Sequence, residues 1–334
     1  MLRLPPFEYF APRTLDEALD LLGSQSETML VAGGTDVYPG MKRRLFEPKK
    51  LIGLSRIEKL KRMRVREGLT LGAGVTLAQI SSHPDVKERF PALAYASGVV
   101  STPQLRNMGT IGGNLCVDTR CTYYNQTEPW RQALSYCMKK DGDTCWVAPG
   151  SPRCWAVASS DTAPIMIALG ASIRLVGPGG ERIIPVQDLY HNDGIAYLSK
   201  GPDEILVDIE IPDASGVQMA YQKMRRRGSF DFPIVGVAAA LRMTEDDICT
   251  EAHIVLGAVA SFPIEAKAAE SMLVGQKVDQ DLIEEVAKIA FKPAKPLDNT
   301  DMSHSYRKQM VRVFVKRALQ EALGKFPERA RENL

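Results

Sequence analysis

Apolar and polar positions alternate between two spacings along the chain. Residues 14–22 place apolar side chains at helical spacing behind Thr14, a residue suited to cap a helix start. The run Met29-Leu30-Val31-Ala32 is short and continuously apolar, which predicts a buried strand; it leads directly into Gly33-Gly34-Thr35-Asp36. After a basic, helix-like stretch, residues 51–54 predict a second strand, so the opening segment reads as a small α/β unit. Residues 69–74 predict a strand, and 77–90 and 92–100 predict two helices separated at Pro91. A glycine-rich turn at 109–114 follows, then a helix over 161–169 and a strand over 171–175. Residues 205–211 alternate apolar and charged, as a half-buried strand does. Strands at 235–243 and 254–259 precede helices at 265–272, 282–290 and 306–323, the last with Met310, Val311, Phe314, Val315 and Leu319 along one face. Helices and strands are mixed without a repeat, which predicts an α+β fold.

Composition narrows the function classes. Forty-two basic and 40 acidic residues leave a net charge of +2, which predicts neither a nucleic-acid nor a membrane partner. No apolar stretch approaches the roughly 20 residues of a membrane span, and the first residues show no signal-peptide pattern; the expectation is a soluble, cytoplasmic protein. Five of the six cysteines (Cys116, Cys121, Cys137, Cys145, Cys154) crowd one window with all three tryptophans, Trp130, Trp146 and Trp155, and no histidine falls there. Reduced thiols clustered in this way point to metal ligation rather than to disulfides. The spacing Cys121-x15-Cys137-x7-Cys145-x8-Cys154 lacks the close pairs usual in structural zinc sites. Four thiolates on separate loops suit a [4Fe–4S] cluster, one cysteine per iron, although zinc is also compatible with the spacing. Cys116, directly after Gly-Gly-Asn-Leu, reads as a packing residue. Lys139-Lys140 reads either as a solvated pair or as a contact for an acidic donor protein.

Two glycine-rich segments can bring backbone N–H groups close to an anion: Val31-Ala32-Gly33-Gly34-Thr35-Asp36 and Gly109-Thr110-Ile111-Gly112-Gly113-Asn114. Neither fits G-x-G-x-x-G or a P-loop. Together with Gln104-Leu105-Arg106-Asn107, Ser160-Asp161 with Pro164, Asp203-Glu204-Ile205-Leu206, Tyr221-Gln222-Lys223 with Arg225, Arg226 and Asp231, Leu256-Gly257-Ala258-Val259 and Tyr306-Arg307, they resemble the FAD-binding medium subunits of the xanthine dehydrogenase and carbon monoxide dehydrogenase family. Without that resemblance Asp161 reads equally as a helix cap, and the run from Lys223 to Arg227 as a solvated basic edge.

The resemblance implies a two-subdomain FAD-binding (PCMH-type) fold, residues 1–57 and 58–217, followed by a C-terminal α+β domain over 218–334. It implies that Leu30, Val31, Ala32, Gly33, Gly34, Thr35 and Asp36 form one FAD loop and Thr110, Ile111, Gly112, Gly113 and Asn114 the other. Asp161 then contacts the ribityl or ribose side, Leu206 lies on a strand passing the isoalloxazine, and Lys223 adds positive charge near the ring. Most relatives run almost directly from the Gly-Gly-Asn turn to the Ser-Asp segment, whereas here a cysteine-rich loop insertion occupies about 117–158. That insertion resembles the 4-hydroxybenzoyl-CoA reductase branch of the family. It implies an (αβγ)2 assembly with a molybdopterin-binding large subunit and a [2Fe–2S] small subunit, and a ferredoxin-type donor. Electrons then enter through Cys121, Cys137, Cys145 and Cys154 and pass to FAD. No catalytic residue is expected in this chain. The competing expectation is an ordinary oxidising member with a structural insertion.

Overall fold

A computed structural model describes residues 2–23 and 27–325. Its three β-sheets follow one another along the chain. The first holds β1 (Glu8–Phe10), β2 (Thr28–Val31) and β3 (Lys50–Gly53) in the order β1-β3-β2, all parallel, with Met29 and Tyr9 flanking Leu51. Parallel neighbours need crossovers, supplied by α1 (Leu15–Gly23) and α2 (Val37–Lys42). The start of α1 is fixed by Thr14, whose hydroxyl accepts from the Glu17 N–H at 3.2 Å, while Glu17 accepts from the Arg13 N–H at 2.8 Å. Ala18 and Leu22 of α1 pack with Ile52, Ile57 and Leu60 against Ile205 and Val207, joining the first sheet to the second.

The second sheet is antiparallel throughout, in the order β4-β5-β8-β6-β7: β4 (Met63–Val65), β5 (Leu69–Gly72), β6 (Ser172–Gly177), β7 (Gly180–Pro185) and β8 (Ile205–Ile211). Between β5 and β6 run α3 (Leu77–Ser82), α4 (Pro84–Arg89), α5 (Pro91–Gly98), α6 (Pro103–Arg106), α7 (Ile111–Leu115), α8 (Glu128–Ala133) and α9 (Thr162–Ala168). The single helix expected over 77–90 is in fact two. His83 is extended (φ −66°, ψ 126°) because the ring of Pro84 disfavours a helical predecessor and removes a backbone donor. The turn expected at 109–114 continues into α7, capped by Thr110, whose hydroxyl accepts from the Gly113 N–H at 3.1 Å.

The third sheet, β12-β11-β10-β9, is again antiparallel: β9 (Val217–Met224), β10 (Val235–Met243), β11 (Cys249–Gly257) and β12 (Ile264–Glu265). Helices α10 (Lys267–Leu273), α11 (Gln280–Ala290) and α12 (His304–Ala322) share its core. The composition of β10 reflects burial on both faces. Val237, Ala239 and Leu241 join the core with these helices, and Ala238 and Ala240 join the second sheet's core with α9.

Residues 117–158 contain only α8 as a regular helix. Their base is closed by Arg120 and Val157, which exchange two backbone hydrogen bonds of 2.8 and 2.7 Å. The insertion is tied down on three sides. Arg131, fully buried, donates to the carbonyls of Arg43 and Arg44 just past α2. Asn299 accepts through its carbonyl from the Thr122 N–H and donates its side-chain amide to the Trp155 carbonyl. Gly194 donates its N–H to the Cys154 carbonyl at 3.0 Å. No described helix is long and apolar enough to cross a membrane.

Candidate cofactor sites

The two glycine loops meet edge to edge. A Cβ on Gly33 would lie 1.9 Å from the Met108 carbonyl oxygen, so only glycine lets the first loop approach the second this closely. Gly34 takes a left-handed φ of +71°, which turns the chain after β2. The backbone N–H groups of Gly33, Gly34, Thr35 and Asp36 meet no acceptor among the described residues. Consecutive free N–H groups of this kind form a concave anion site, and they fit the phosphates of a dinucleotide. The second loop is held from beneath: the Gly112 N–H donates to Ala73 O and the Ile111 N–H to Val75 O, each at 2.9 Å. A Cβ on Gly112 would meet that of Ala73 at 2.6 Å. Leu30 is half-buried, and Val31 and Leu206 are buried in the sheet cores; their side chains position the loops from behind.

Asn114 is engaged with the far end of the insertion. Its Oδ1 accepts from Ser160 Oγ at 2.8 Å, Thr162 Oγ1 at 2.7 Å and the Thr162 N–H at 3.2 Å. Ser160 Oγ also accepts from the Ala163 N–H at 3.0 Å. Ser160 and Asn114 thus satisfy the start of α9, and the side chain of Asp161 makes no cap bond. The freed carboxylate is buried, accepting from Tyr221 Oη at 2.9 Å and Lys223 Nζ at 2.8 Å. Lys223 Nζ also donates to Val99 O at 3.0 Å. Burial raises the carboxyl of Asp161 and lowers the ammonium of Lys223, each offset in part by the other's charge. Lys223 is therefore locked in a buried pair that joins β9 to α9 and α5.

Cys121, Cys137, Cys145 and Cys154 are buried and line one small cavity with Tyr124, Met138, Lys139 and Trp146. All are free thiols. Burial pushes Cys121 up to about 12 and Cys154 up to about 11, the condition of thiols that carry their protons until a metal displaces them. Among the described residues no three cysteine, histidine or acidic side chains are grouped as one metal ion requires. The four thiols nevertheless border one common space. Cys116 lies outside this cavity and packs against the second sheet's core.

Arg120 is not singled out by the sequence alone. Arg120 pairs with Asp36 of the first glycine loop, and its guanidinium lies 4.5 Å from the ring centre of Phe232. It thereby links the base of the insertion to that loop; its position beside Cys121 was the only available signal. Lys139 is not a docking residue, because its side chain is only 6% exposed, with Nζ 2.6 Å from Asp118 and 2.7 Å from Gly194 O.

Comparison with known proteins agrees with this architecture. Residues 5–214 match the family described as the FAD binding domain in molybdopterin dehydrogenase, and residues 219–322 the CO dehydrogenase flavoprotein C-terminal domain. The carbon monoxide dehydrogenase medium chain of Hydrogenophaga pseudoflava is 30% identical over 95% of this chain and 97% of its own. The nicotinate dehydrogenase FAD-subunit of Eubacterium barkeri is 27% identical over 95% and 96%. A solved carbon monoxide dehydrogenase from Hydrogenophaga pseudoflava superposes with a TM-score of 0.79 at 28% identity, covering 97% of this chain and 100% of that one. The chain therefore belongs to the FAD-binding medium subunits of the molybdenum hydroxylases, as the flavin-carrying oxidoreductase subunit of a xanthine, carbon monoxide or aldehyde dehydrogenase-type enzyme.

Proposed function

We propose that the chain carries a [4Fe–4S] cluster beside its FAD and serves a molybdenum enzyme of the 4-hydroxybenzoyl-CoA reductase type. In this reading it relays electrons from a ferredoxin-type donor to the [2Fe–2S] clusters of a small subunit, within a cytoplasmic (αβγ)2 assembly whose large subunit holds the molybdopterin. The observation that carries the reading is the single cavity walled by Cys121, Cys137, Cys145 and Cys154. It lies in an insertion whose flanking residues Asn114 and Ser160 are hydrogen-bonded to each other at the second glycine loop. FAD supplies one-electron exchange when bound, and the protein's part is to place and tune it. Gly33, Gly34, Thr35 and Asp36 would hold its phosphates; the N–H groups of Gly112 and Gly113 are taken by Ala73 O and Thr110 Oγ1, so these glycines, with Thr110 and Asn114, would shape the second loop rather than donate to the phosphates. Asp161 and Lys223 would order the cleft through their buried pair rather than by presenting a free charge.

Anaerobic purification with iron, acid-labile sulfide and flavin analysis tests this. About four irons and four sulfides per chain, with a cubane signal in low-temperature EPR after reduction, are expected. The similarity to carbon monoxide and nicotinate dehydrogenase subunits favours a second reading, an ordinary hydroxylase subunit passing electrons outward with a zinc-bound insertion. Zinc without a cubane signal would establish it in place of the first.

A further inference from the structure

The insertion buries one cation against its thiol cavity. Lys139 lies two residues beyond Cys137, and its side chain forms part of the cavity wall. The ammonium is held by Asp118 Oδ1 at 2.6 Å, by the hydroxyl of Thr119 and its carbonyl at 3.4 Å, and by Gly194 O at 2.7 Å. These acceptors engage all three of its protons. Its aromatic neighbours are Tyr124, 4.6 Å from Nζ to the ring centre, and Tyr197, at 5.3 Å. Lys139 shares the cavity wall with the four thiols, and Asp118 is not part of that wall. Gly194 completes the arrangement: a Cβ there would come within 2.8 Å of Cys154 Sγ, so only glycine brings the carbonyl that holds Lys139 this close to a ligand sulfur.

A buried charge needs a reason to be there, since desolvating an ammonium is costly and a single carboxylate repays it only in part. A cluster bound by four thiolates supplies that reason. It is anionic in both redox states and gains one further negative charge on reduction. We propose that Lys139 is the built-in counter-charge of the four-thiol site, held by Asp118, Thr119 and Gly194, and that it favours the reduced cluster. This rests on the [4Fe–4S] reading above. It makes Lys139 a determinant of whether electrons entering the insertion stay there or move on to the flavin.

The test is an EPR-monitored potentiometric titration of the anaerobically purified complex, with iron and sulfide analysis of each preparation. Lys139→Met is expected to make cluster reduction about tenfold less favourable, a downward shift of about 59 mV for one electron, at wild-type iron content. Lys139→Arg, which keeps the charge, is expected to stay near wild type. Asp118→Asn removes the opposing charge and is expected to shift the midpoint upward. If Lys139→Met fails to retain iron, Asp118→Asn carries the test. Iron-loaded variants with unchanged midpoints overturn the role of Lys139 and leave the cluster standing. A wild-type complex without iron and sulfide overturns both.

Discussion

The buried pair of Asp161 and Lys223 offers a direct test of what holds the cofactor cleft together. Its oxygen and nitrogen are 2.8 Å apart, and both side chains are almost fully buried, at 3% and 1% exposure. With an effective dielectric of about 20, that separation corresponds to an attraction of about 6 kcal/mol. Removing one partner leaves the other charge buried, at a cost of about 3–5 kcal/mol. Lys223→Met strips Asp161 of its cation and leaves only Tyr221 donating from a side chain. It also removes the donor to Val99 O at the end of α5. At about 2–4 °C per kcal/mol for chains of this order of size, the thermal midpoint falls by on the order of 10 °C. Asp161→Asn falls by a similar amount, because it strands the ammonium. The double variant Asp161→Asn/Lys223→Met is more stable than either single variant, since a neutral amide beside an apolar chain leaves no unpaired charge and still accepts from Tyr221. Differential scanning fluorimetry of the four proteins, with flavin absorbance recorded on each, measures this. Single variants that melt with the wild type, or a double variant whose loss is the sum of the two, would refute the reasoning.

Other predictions concern different parts of the molecule. Gly34→Ala places a side chain at φ +71°, with its Cβ 2.3 Å from the Tyr38 ring; flavin content after purification drops severalfold, whereas Gly150→Ala, in open space, leaves it unchanged. Gly194→Ala pushes against Cys154 Sγ and the Ala156 backbone, and the metal content of the purified chain falls while its flavin content holds. The bond from Arg182 holds the carboxyl of Glu204 at about 2, below its ordinary 4.5. Because the folded value is the lower one, this stabilisation is complete above about pH 4.5 and is lost as pH falls toward 2; Glu204→Gln should flatten that acid limb in thermal midpoints measured against pH.

The parts of this chain legible in its sequence are those whose chemistry is local. Gly33-Gly34-Thr35-Asp36 announces a turn after a strand because glycine alone tolerates the required φ and the close approach to Met108. The cysteine window was visible from spacing and the absence of histidine. Pro84 carried the signal that divides α3 from α4, but the apolar periodicity on both sides obscured it. What could not be read depends on partners distant in the chain. Lys139 and Lys140 look alike in sequence, and only the carboxylate of Asp118 and the carbonyl of Gly194 decide which is buried. Lys223 sits in a basic run, yet Asp161, 62 positions earlier, takes its charge inward. The pairing of Arg120 with Asp36 likewise spans 84 positions.

The two backbone bonds between Arg120 and Val157 also bear on how such a subunit can gain or lose its extra segment. The segment leaves and re-enters the domain at adjacent points, so residues 121–156 can lengthen or shorten while the ends that carry the second glycine loop and α9 stay in place. The same scaffold can therefore serve with or without the extra segment, and acquiring it amounts to lengthening a single connection.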